Sequence, residues 1–387
     1  MKVSHICIIS DDYPYKKRMV YIFVQQLVEA LVDSGVKISV IAPQSVVRSL
    51  VRKVKLMPKY QFYQTAHGNS YEVYRPYSLT FGNGRRCLSK IARAYNQRNV
   101  NRCLNEISPQ IVYGHFWHNA MKGAEYAQRK GKPLFVACGE GDDILDNWAM
   151  SLSDSVKEGI RKLVKGVISV STENKRKCIA YGLSLEENTV VLPNCVNDLV
   201  FYPQDGSQLR KQLGAKTTDF VISYTGAFIT RKGSKRLSDA IDVINKDTVK
   251  VIFAGQPLDG DNQTPTCKGI IYCDSVNHDE LPQYLCASDV FVLPTLKEGC
   301  CNAIVEALAC GVPVISSNRA YNDDILNESN SLRVNPESVD EIAGAIIKLM
   351  TDNNLLSRLK RQTLANSSNY SIVRRAENIR AFIESKI

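Results

Sequence analysis

The sequence predicts two α/β domains of similar size, each built around a parallel β-sheet. Three observations support this prediction: the length, the alternation of short apolar runs with helical patterns, and a polar break near mid-chain. The chain has 387 residues, which is enough for two or three domains. Its hydrophobic content of 44% and charged content of 23% are those of an ordinary globular protein.

The first half of the chain alternates strand-like apolar runs with helical spacing, as in a parallel α/β sheet. The predicted strands are 5–10, 37–42, 110–114, 133–137, 166–171 and 189–192. The predicted helices between them are 20–34, 121–130 and 173–181.

The second half repeats the same alternation. Its predicted strands are 220–225, 249–254, 269–273, 290–293 and 312–316. Its predicted helices are 235–244, 279–286, 302–310, 338–351, 355–367 and 372–384. The segment 192–203, LPNCVNDLVFYP, is rich in proline and asparagine and indicates a hinge. We therefore expect an N-terminal domain over 1–195 and a second domain over 196–371.

Several classes of protein are disfavoured by composition. No stretch approaches the ~18 uncharged apolar residues of a membrane span. The N-terminal MKVSHICIISDDYP lacks the long apolar core of a signal peptide, so we expect a cytoplasmic protein. The 12 cysteines show no CxxC pair, and in a reducing compartment they are expected to be small buried hydrophobes.

Positive charge is concentrated in residues 45–105, the basic region. This region has one acid, Glu72, and a net charge of +11, whereas the whole chain carries +10. Such a block favours an anionic partner, and we place a membrane surface or an anionic acceptor ahead of a merely solvated face. Nucleic acid is the third alternative, but no helix-turn-helix, zinc-finger or RNP pattern supports it. The basic residues are Arg48, Arg52, Lys53, Lys55, Lys59, Arg75, Arg85, Arg86, Lys90, Arg93, Arg98 and Arg102.

Two segments of the basic region have helical spacing. In 47–57 the apolar residues can share one face of a helix and leave the basic residues away from it, as in helices that lie on anionic membranes. The second segment, 85–102, is basic with few apolar residues, and aromatic residues such as Phe81 lie between the two.

The most informative motif, KEGCCNAIVEALACGVPVIS, occupies 297–316 and follows the predicted strand 290–293. A loop that leads into a helix presents unpaired N–H groups and the positive end of the helix dipole, which attract phosphate. Asn302 is the predicted N-cap and Gly311 the predicted C-cap. Glu298 precedes the helix and Glu306 lies about one turn inside it, so both carboxylates can accept hydrogen bonds from sugar or ribose hydroxyls. An ordinary β-loop-α unit with a buried Glu306 is the alternative.

This motif resembles the E-x7-E signature of retaining glycosyltransferases of the GT-B fold, family 4. In that family the first glutamate binds the donor sugar, the second binds the ribose, and the amides between them meet the diphosphate or the sugar. The resemblance implies these roles for Glu298 and Glu306. It assigns donor contacts to the segment comprising Gly299, Cys300, Cys301, Asn302 and Ala303. The implied fold is GT-B, α/β, with two Rossmann-like domains facing a central cleft and the C-terminal helix 372–387 returning to the first domain.

Residues 224–233, YTGAFITRKG, resemble the glycine loop of the same family. The resemblance implies a donor contact at Gly226 and assigns neutralisation of the donor diphosphate to Lys232, which can offset charge on the departing group. Ala227 stands where the family usually has arginine, and Arg231 is the candidate to replace it. Val276 matches the residue whose backbone meets the nucleotide base.

The first domain matches the family less well. Glu140 in EGDDI stands where many members have a histidine near the reacting centre. Glu140 is therefore the catalytic candidate on this side, and Asp143 and His115 are acceptor-side candidates. A structural His115 is an equal alternative. His115 and His118 have HxxH spacing, but no third ligand is visible, so no metal site is predicted.

The expected function is transfer of a sugar, with retention, from a UDP- or GDP-linked donor to an acceptor hydroxyl without metal or other cofactor. The basic region suggests a saccharide or lipid-linked acceptor of bacterial cell-surface polysaccharide synthesis, at the inner face of the cytoplasmic membrane. Two alternatives remain open: a sugar-nucleotide epimerase of the same fold, and a non-catalytic partner protein. A dinucleotide oxidoreductase is disfavoured, because no G-x-G-x-x-G follows the first strand of either domain.

Overall fold

The computed structural model describes residues 2–16, 20–80 and 86–387. The chain divides into two compact units. The first unit comprises Met1–Val170, Asn174–Leu192 and Arg375–Ile387, and the second comprises Ser171–Glu173 and Pro193–Arg374. Arg85 and Phe81, which the sequence assigns to the basic region, lie outside the described residues.

The strands of both units are short, with two to six residues each among those described. Those described are β1 (His5–Ile9), β2 (Lys37–Ile41), β3 (Gln44–Ser45), β4 (Tyr60–Gln64), β5 (Ser70–Tyr74), β6 (Tyr77–Ser78), β7 (Ile111–His115), β8 (Leu134–Cys138), β9 (Val164–Ser169), β10 (Thr189–Val191), β11 (Phe220–Thr225), β12 (Val249–Ala254), β13 (Ile270–Asp274), β14 (Val290–Leu293), β15 (Val314–Ser317) and β16 (Ser331–Val334).

The helices follow the strands along the chain. Those described are α1 (Ile22–Asp33), α2 (Val46–Val51), α3 (Arg86–Ile107), α4 (Trp117–Lys130), α5 (Asp142–Met150), α6 (Asp154–Leu163), α7 (Thr172–Ala180), α8 (Ser207–Gln212), α9 (Ser234–Ile244), α10 (Leu281–Cys286), α11 (Asn302–Ala309), α12 (Val339–Thr351), α13 (Asn353–Ala365) and α14 (Ile372–Lys386).

The main sheet of the first unit has the order β10-β9-β8-β7-β1-β2-β5-β4, and β3 pairs separately with β6. Its strands are parallel except for the antiparallel pair β4–β5. Continuous apolar burial in β7 and β8 is what a sheet covered on both faces requires. The C-terminal part of α14 belongs to this unit, where Glu384 accepts a hydrogen bond from the N–H of Val3 and the Phe382 ring meets Phe135.

The sheet of the second unit is parallel throughout and has the order β13-β12-β11-β14-β15-β16. Its central strands β11, β12 and β14 are almost wholly buried. The chain leaves β11 toward β12 on one side, and β14 later pairs with the other side of β11. The strands and helices predicted for this half are observed with shifts of a few residues at their ends, and β16 and α8 were not predicted.

The amphipathic helix predicted over 47–57 was wrong in its length. The helix α2 ends at Val51, because Lys53 adopts a left-handed φ of 51° and the N–H of Val54 bonds to the carbonyl of Ser49, which closes the helix in a Schellman-type turn. The side chains of Leu50 and Val51 are 74% and 77% exposed. The strands β4 and β5 of the basic region were not predicted either. Of the described helices, none is long and apolar enough to cross a bilayer.

Candidate active site

The loops after β11 and β14 meet at one edge of the second sheet. These two strands are adjacent and parallel, with Ile222 opposite Val290, so their carboxyl ends lie side by side. The chain connects β11 to β12 on one side and reaches β14 on the other, which makes this edge a topological switch point. Open α/β sheets bind ligands at such points. The loops 226–233 and 294–301 therefore form the candidate site.

The backbone of the glycine loop after β11 packs directly against the backbone at the end of β12. Gly226 has a φ of 149°, which favours glycine, and its N–H bonds to the carbonyl of Ala254 at 3.0 Å. A Cβ atom on Gly255 would lie 1.9 Å from the carbonyl oxygen of Gly226. Gly255 is therefore required for the loop to lie where it does.

An ion-pair cluster joins the two loops. The Nζ atom of Lys232 lies 2.6 Å from Oε1 of Glu298, and the Arg231 guanidinium lies 2.8 Å from the same oxygen. The hydroxyl of Thr295 donates to that oxygen at 2.9 Å. Lys232 and Glu298 are largely buried, with side chains 16% and 12% exposed, whereas Arg231 is 45% exposed. Two cations surround one carboxylate, so the cluster carries net positive charge.

The pKa of Lys232 indicates a permanent cation. Burial lowers this pKa, but the Cys301 sulfur and the Glu298 carboxylate raise it more, and the net shift is above the usual value. The Cys301 sulfur lies 3.7 Å from Nζ of Lys232. Burial raises the pKa of the Cys301 thiol, so this cysteine is a poor nucleophile.

The helix α11 begins at Asn302, and its N-cap is Cys301. The predicted N-cap at Asn302 was therefore wrong by one residue, and the Asn302 side chain makes a different contact. Its Oδ1 accepts a hydrogen bond at 2.8 Å from Asn194, which also donates to the carbonyl of Cys300 at 3.2 Å. Asn194 thus holds the loop at the point where it enters the helix, next to Gly299 and Ala303.

The predicted C-cap at Gly311 was also wrong by one residue, although Gly311 ends the helix. Gly311 has a φ of 76° and follows the C-cap Cys310. The N–H of Val312 bonds to the carbonyl of Ala307 and that of Gly311 to Leu308, which is the Schellman arrangement.

Glu306 lies in the middle of α11 and is paired with a histidine. Its Oε1 lies 3.3 Å from Nε2 of His278, whose ring meets Phe201 edge-on at 4.9 Å. Burial lowers the pKa of His278, but the hydrogen bond and the charge of Glu306 raise it more, and the net shift is upward. His278 lies two residues after Val276, in the loop that follows β13. The structure therefore links the predicted base-contacting loop to the predicted ribose-contacting carboxylate.

In the first unit, Glu140 has a structural role that the sequence did not reveal. Its two carboxylate oxygens accept backbone N–H groups, one from Trp117 at 2.6 Å and one from Gly139 at 3.1 Å. Trp117 is the first residue of α4, so Glu140 satisfies an open donor at that helix terminus. Burial raises the pKa of Glu140 although these hydrogen bonds oppose the shift.

His115 and Asp143 differ in environment. His115 ends β7 and is buried between the rings of Phe23 and Phe116, at 5.3 and 4.7 Å. Among the residues that the structure describes, its Nδ1 has no hydrogen-bond partner. Burial lowers the pKa of His115 to about 3, which leaves the ring neutral. Asp143 is exposed in the first turn of α5. His115 and Glu140 lie near the carboxyl ends of the neighbouring strands β7 and β8.

Three residues of the candidate site were missed by sequence reasoning. Thr295 lies directly behind β14 and could have been found from its position at a strand end. Asn194 contacts Asn302 across 108 residues of chain, and His278 contacts Glu306 across 28 residues. No local sequence pattern signals either contact. Within the described residues, no group of three His, Cys, Asp or Glu side chains is placed to hold a metal ion.

The fold corresponds to that of known proteins. In the solved structures, sucrose-phosphate synthase from Thermosynechococcus elongatus superposes with a TM-score of 0.78 at 18% identity, covering 99% of this chain and 98% of that one. HepE from Anabaena, solved in complex with UDP-glucose, gives a TM-score of 0.73 at 18% identity, over 98% and 99% of the two chains. The fold is therefore the GT-B fold, as predicted.

Sequence comparison supports a glycosyltransferase. Residues 219–352, which include Lys232, Glu298 and Glu306, match the family model described as Glycosyl transferases group 1. A glycosyltransferase of Bacillus subtilis named for teichuronic acid biosynthesis, TuaC, is 26% identical over 348 residues, 84% of each chain. The UDP-Gal:α-D-GlcNAc-diphosphoundecaprenol α-1,3-galactosyltransferase of Escherichia coli is 28% identical over 239 residues, 57% of this chain and 60% of that protein.

Proposed function

We propose that this chain is a retaining glycosyltransferase of the family 4 type, which moves a sugar from a nucleoside diphosphate to an acceptor hydroxyl. The observation that carries the proposal is the cluster of Lys232, Arg231 and Glu298 beside the N-terminus of α11. It lies at the switch point of the second sheet and inside the residues that match the glycosyl transferase model. Helix amides and cations together suit a diphosphate.

The donor site needs no metal in this proposal. Lys232 and Arg231 supply two positive charges against one carboxylate, and the N-terminus of α11 adds the positive end of a helix dipole. When the diphosphate binds, it competes with Glu298 for the two cations. Glu298 is then free to accept hydrogen bonds from the donor sugar, while Glu306, held by His278, accepts the ribose hydroxyls. UDP and GDP are the candidate leaving groups.

The proposed reaction needs no side-chain base to take the acceptor proton. The bond between C1 of the sugar and the diphosphate oxygen breaks, and C1 bonds to the acceptor oxygen on the same face. The acceptor proton passes to the departing diphosphate. Lys232 stabilises the charge that develops on this leaving group. The rest of the rate enhancement comes from orientation of donor and acceptor.

The proposed acceptor is a lipid-linked saccharide in assembly of a bacterial cell-surface polysaccharide. Two observations support it: the names of the similar proteins from Bacillus subtilis and Escherichia coli, and the basic region of the first unit. Exposed Leu50 and Val51 lie among exposed cations there, which suits an anionic membrane surface. The protein would act at the inner face of the cytoplasmic membrane.

Thermal unfolding in EDTA with UDP, GDP, ADP or NAD tests the donor site. A ligand at ~100 times its dissociation constant adds about 2.7 kcal/mol. One nucleoside diphosphate should raise the unfolding temperature of the wild type and of Lys235→Gln, an exposed lysine of α9, but not of Lys232→Ala. Stabilisation by NAD alone contradicts the proposal.

The reaction itself is tested by NMR of the product made with the donor that binds. A product that keeps the anomeric configuration of the donor sugar, and forms only with acceptor present, supports the proposal. Conversion of the donor sugar without acceptor supports an epimerase instead.

Membrane contact is tested separately by flotation with anionic vesicles. Charge reversal at Arg52, Lys53 and Lys55 should abolish flotation. The matched control reverses Lys211, Lys216 and Lys268, three exposed lysines of the second unit. Unchanged flotation of the first variant contradicts the membrane contact for that segment.

A further inference from the structure

The first unit has an open pocket at the carboxyl ends of β1 and β2, and its lining includes Arg52 and Lys55, which are assigned above to membrane contact. It lies between the loop after β1, which contributes Asp11, and the segment 43–57 that includes α2. This edge of the sheet is the position at which parallel α/β domains bind ligands. The pocket lies on the same side of the sheet as the ends of β7 and β8, where His115 and Glu140 are found.

The walls of this pocket are held in place by specific hydrogen bonds. The buried side chain of Gln44 accepts the N–H of Met57 and donates to its carbonyl, both at 2.8 Å. Ser45 caps α2 by accepting the N–H of Arg48 at 3.1 Å. The segment from α2 to Met57 is therefore tied to β3 at both ends.

The pocket is lined by three exposed cations, Arg48, Arg52 and Lys55. In the part of the chain that the structure describes, none of the three forms an ion pair with a carboxylate. The nearby Asp11 does not neutralise them, because it is paired with His118 and Lys122. Asp12 also lines the pocket, so its lining carries three cations against two carboxylates, and the excess positive charge favours a phosphate group.

Apolar side chains adjoin this charge on the outer surface. Leu50 and Val51 are 74% and 77% exposed, and Val54, which also lines the pocket, is 48% exposed. A ligand that matches both features has an anionic phosphate head and an apolar tail. A free sugar or an inorganic anion would use only part of this surface.

We propose that this pocket binds the phosphate or diphosphate group of an amphiphilic acceptor, through Arg48, Arg52 and Lys55. The inference rests on the proposed transfer to a lipid-linked saccharide and locates the part of the acceptor that is not the reacting sugar. The same phosphate chemistry is offered by the headgroups of a membrane, and the experiment separates the two sources.

The probe is farnesyl diphosphate, a short-chain lipid diphosphate, and its affinity is measured by calorimetry. The pocket variant R48Q/R52Q/K55Q should bind it at least about tenfold more weakly than the wild type, because it loses the charged hydrogen bonds to the phosphate groups. The control variant K90Q/R93Q/R98Q removes the same charge from exposed residues of the basic region that do not line the pocket. It should change the affinity less than about twofold.

Equal weakening in both variants, or weakening in neither, overturns the inference. A pocket variant that loses only its flotation with phosphatidylglycerol vesicles, and keeps its affinity for farnesyl diphosphate, assigns the pocket to membrane headgroups and also overturns it. Stabilisation by the donor nucleotide is measured in the same variants. If it is absent in all of them, wild type included, the proposed transferase function fails, whereas a selective loss of farnesyl diphosphate binding still supports the pocket.

Discussion

The ammonium group of Lys232 lies 2.6 Å from Oε1 of Glu298, in a pair that is largely buried and joins the loops after β11 and β14. The two residues are 66 positions apart in the sequence, and the parallel pairing of β11 with β14 brings them together. Because Arg231 shares the same carboxylate oxygen, the pair is not self-neutralised. Positive charge therefore remains for a diphosphate.

Lys232→Gln should weaken binding of the donor nucleotide by about 30-fold, which corresponds to loss of about 2 kcal/mol of charged hydrogen bonding. The measurement is calorimetric titration of the nucleoside diphosphate in EDTA. Lys235→Gln, in the first turn of α9, should bind like the wild type, since Lys235 is exposed and pairs with Asp239. An equal loss in both variants would mean that bulk charge, and not the position of Lys232, determines affinity.

Thr295→Val should lower donor affinity about five-fold without changing the fold. The hydroxyl of Thr295 donates to Glu298 at 2.9 Å, and a hydrogen bond of this kind contributes about 1 kcal/mol. Valine has nearly the same shape, so the effect isolates the hydroxyl. KM for the nucleotide sugar is the measurement. The exposed Thr266→Val is the control, and an unchanged KM for Thr295→Val would show that Glu298 needs no such support.

Glu140→Gln separates a structural from a catalytic role for this residue. The amide group can accept only one of the two backbone N–H groups and presents its own N–H to the other. We expect the free energy of unfolding to fall by about 2 kcal/mol, as for loss of a helix cap or a charged hydrogen bond. Urea unfolding measures it. Full stability combined with a large loss of kcat would instead assign Glu140 to the reacting centre.

Gly255→Ala tests the close approach of the glycine loop. The new Cβ atom would lie 1.9 Å from the carbonyl oxygen of Gly226, so the backbone must move. Overpacking of this kind costs about 2 kcal/mol, and nucleotide affinity should fall as well. Gly344→Ala is the control, because that glycine of α12 has open space around its Cβ position and alanine favours a helix. If both variants unfold like the wild type, the loop is less constrained than its packing indicates.

The parallel core could be predicted from the sequence because buried strands such as β8 and β11 are continuous apolar runs. The basic region could not be predicted as well. The strand β4 is an edge strand with alternating polar residues, so it lacks a continuous apolar run. The helix α2 ends early because Lys53 adopts a left-handed conformation, which the pattern of side chains does not predict. The charge and hydrophobicity of the basic region predict an anionic partner, but they do not predict the pocket.

The candidate site could likewise be predicted only in part from the sequence. The motif around α11 and Lys232 could be identified locally, since its residues are close in sequence to strand ends. The residues that hold α11 in place could not be identified from the sequence, because Asn194 and His278 reach this helix from distant loops. Glu140 was assigned to chemistry from its position in a motif, and its capping of α4 depends on a contact with Trp117 that only the fold creates.

His278→Gln should change stability in a pH-dependent way, because the pair with Glu306 raises the pKa of His278 against the effect of burial. The carboxylates of Glu306 and Asp279 are the charges that favour the protonated ring. Because the pKa of His278 is higher in the folded state than in the unfolded state, protonation of this residue stabilises the fold. This stabilisation is complete below about pH 6.5, the pKa in the unfolded state, and is lost as the pH rises through the pKa in the folded state. The unfolding temperature of the wild type should therefore exceed that of His278→Gln more at pH 6 than at pH 9. The control variant is His67→Gln, which removes a 65% exposed histidine that pairs with Asp33. A difference between wild type and His278→Gln that stays constant from pH 6 to pH 9 would mean that the ring is neutral and holds Glu306 by shape and hydrogen bonding alone.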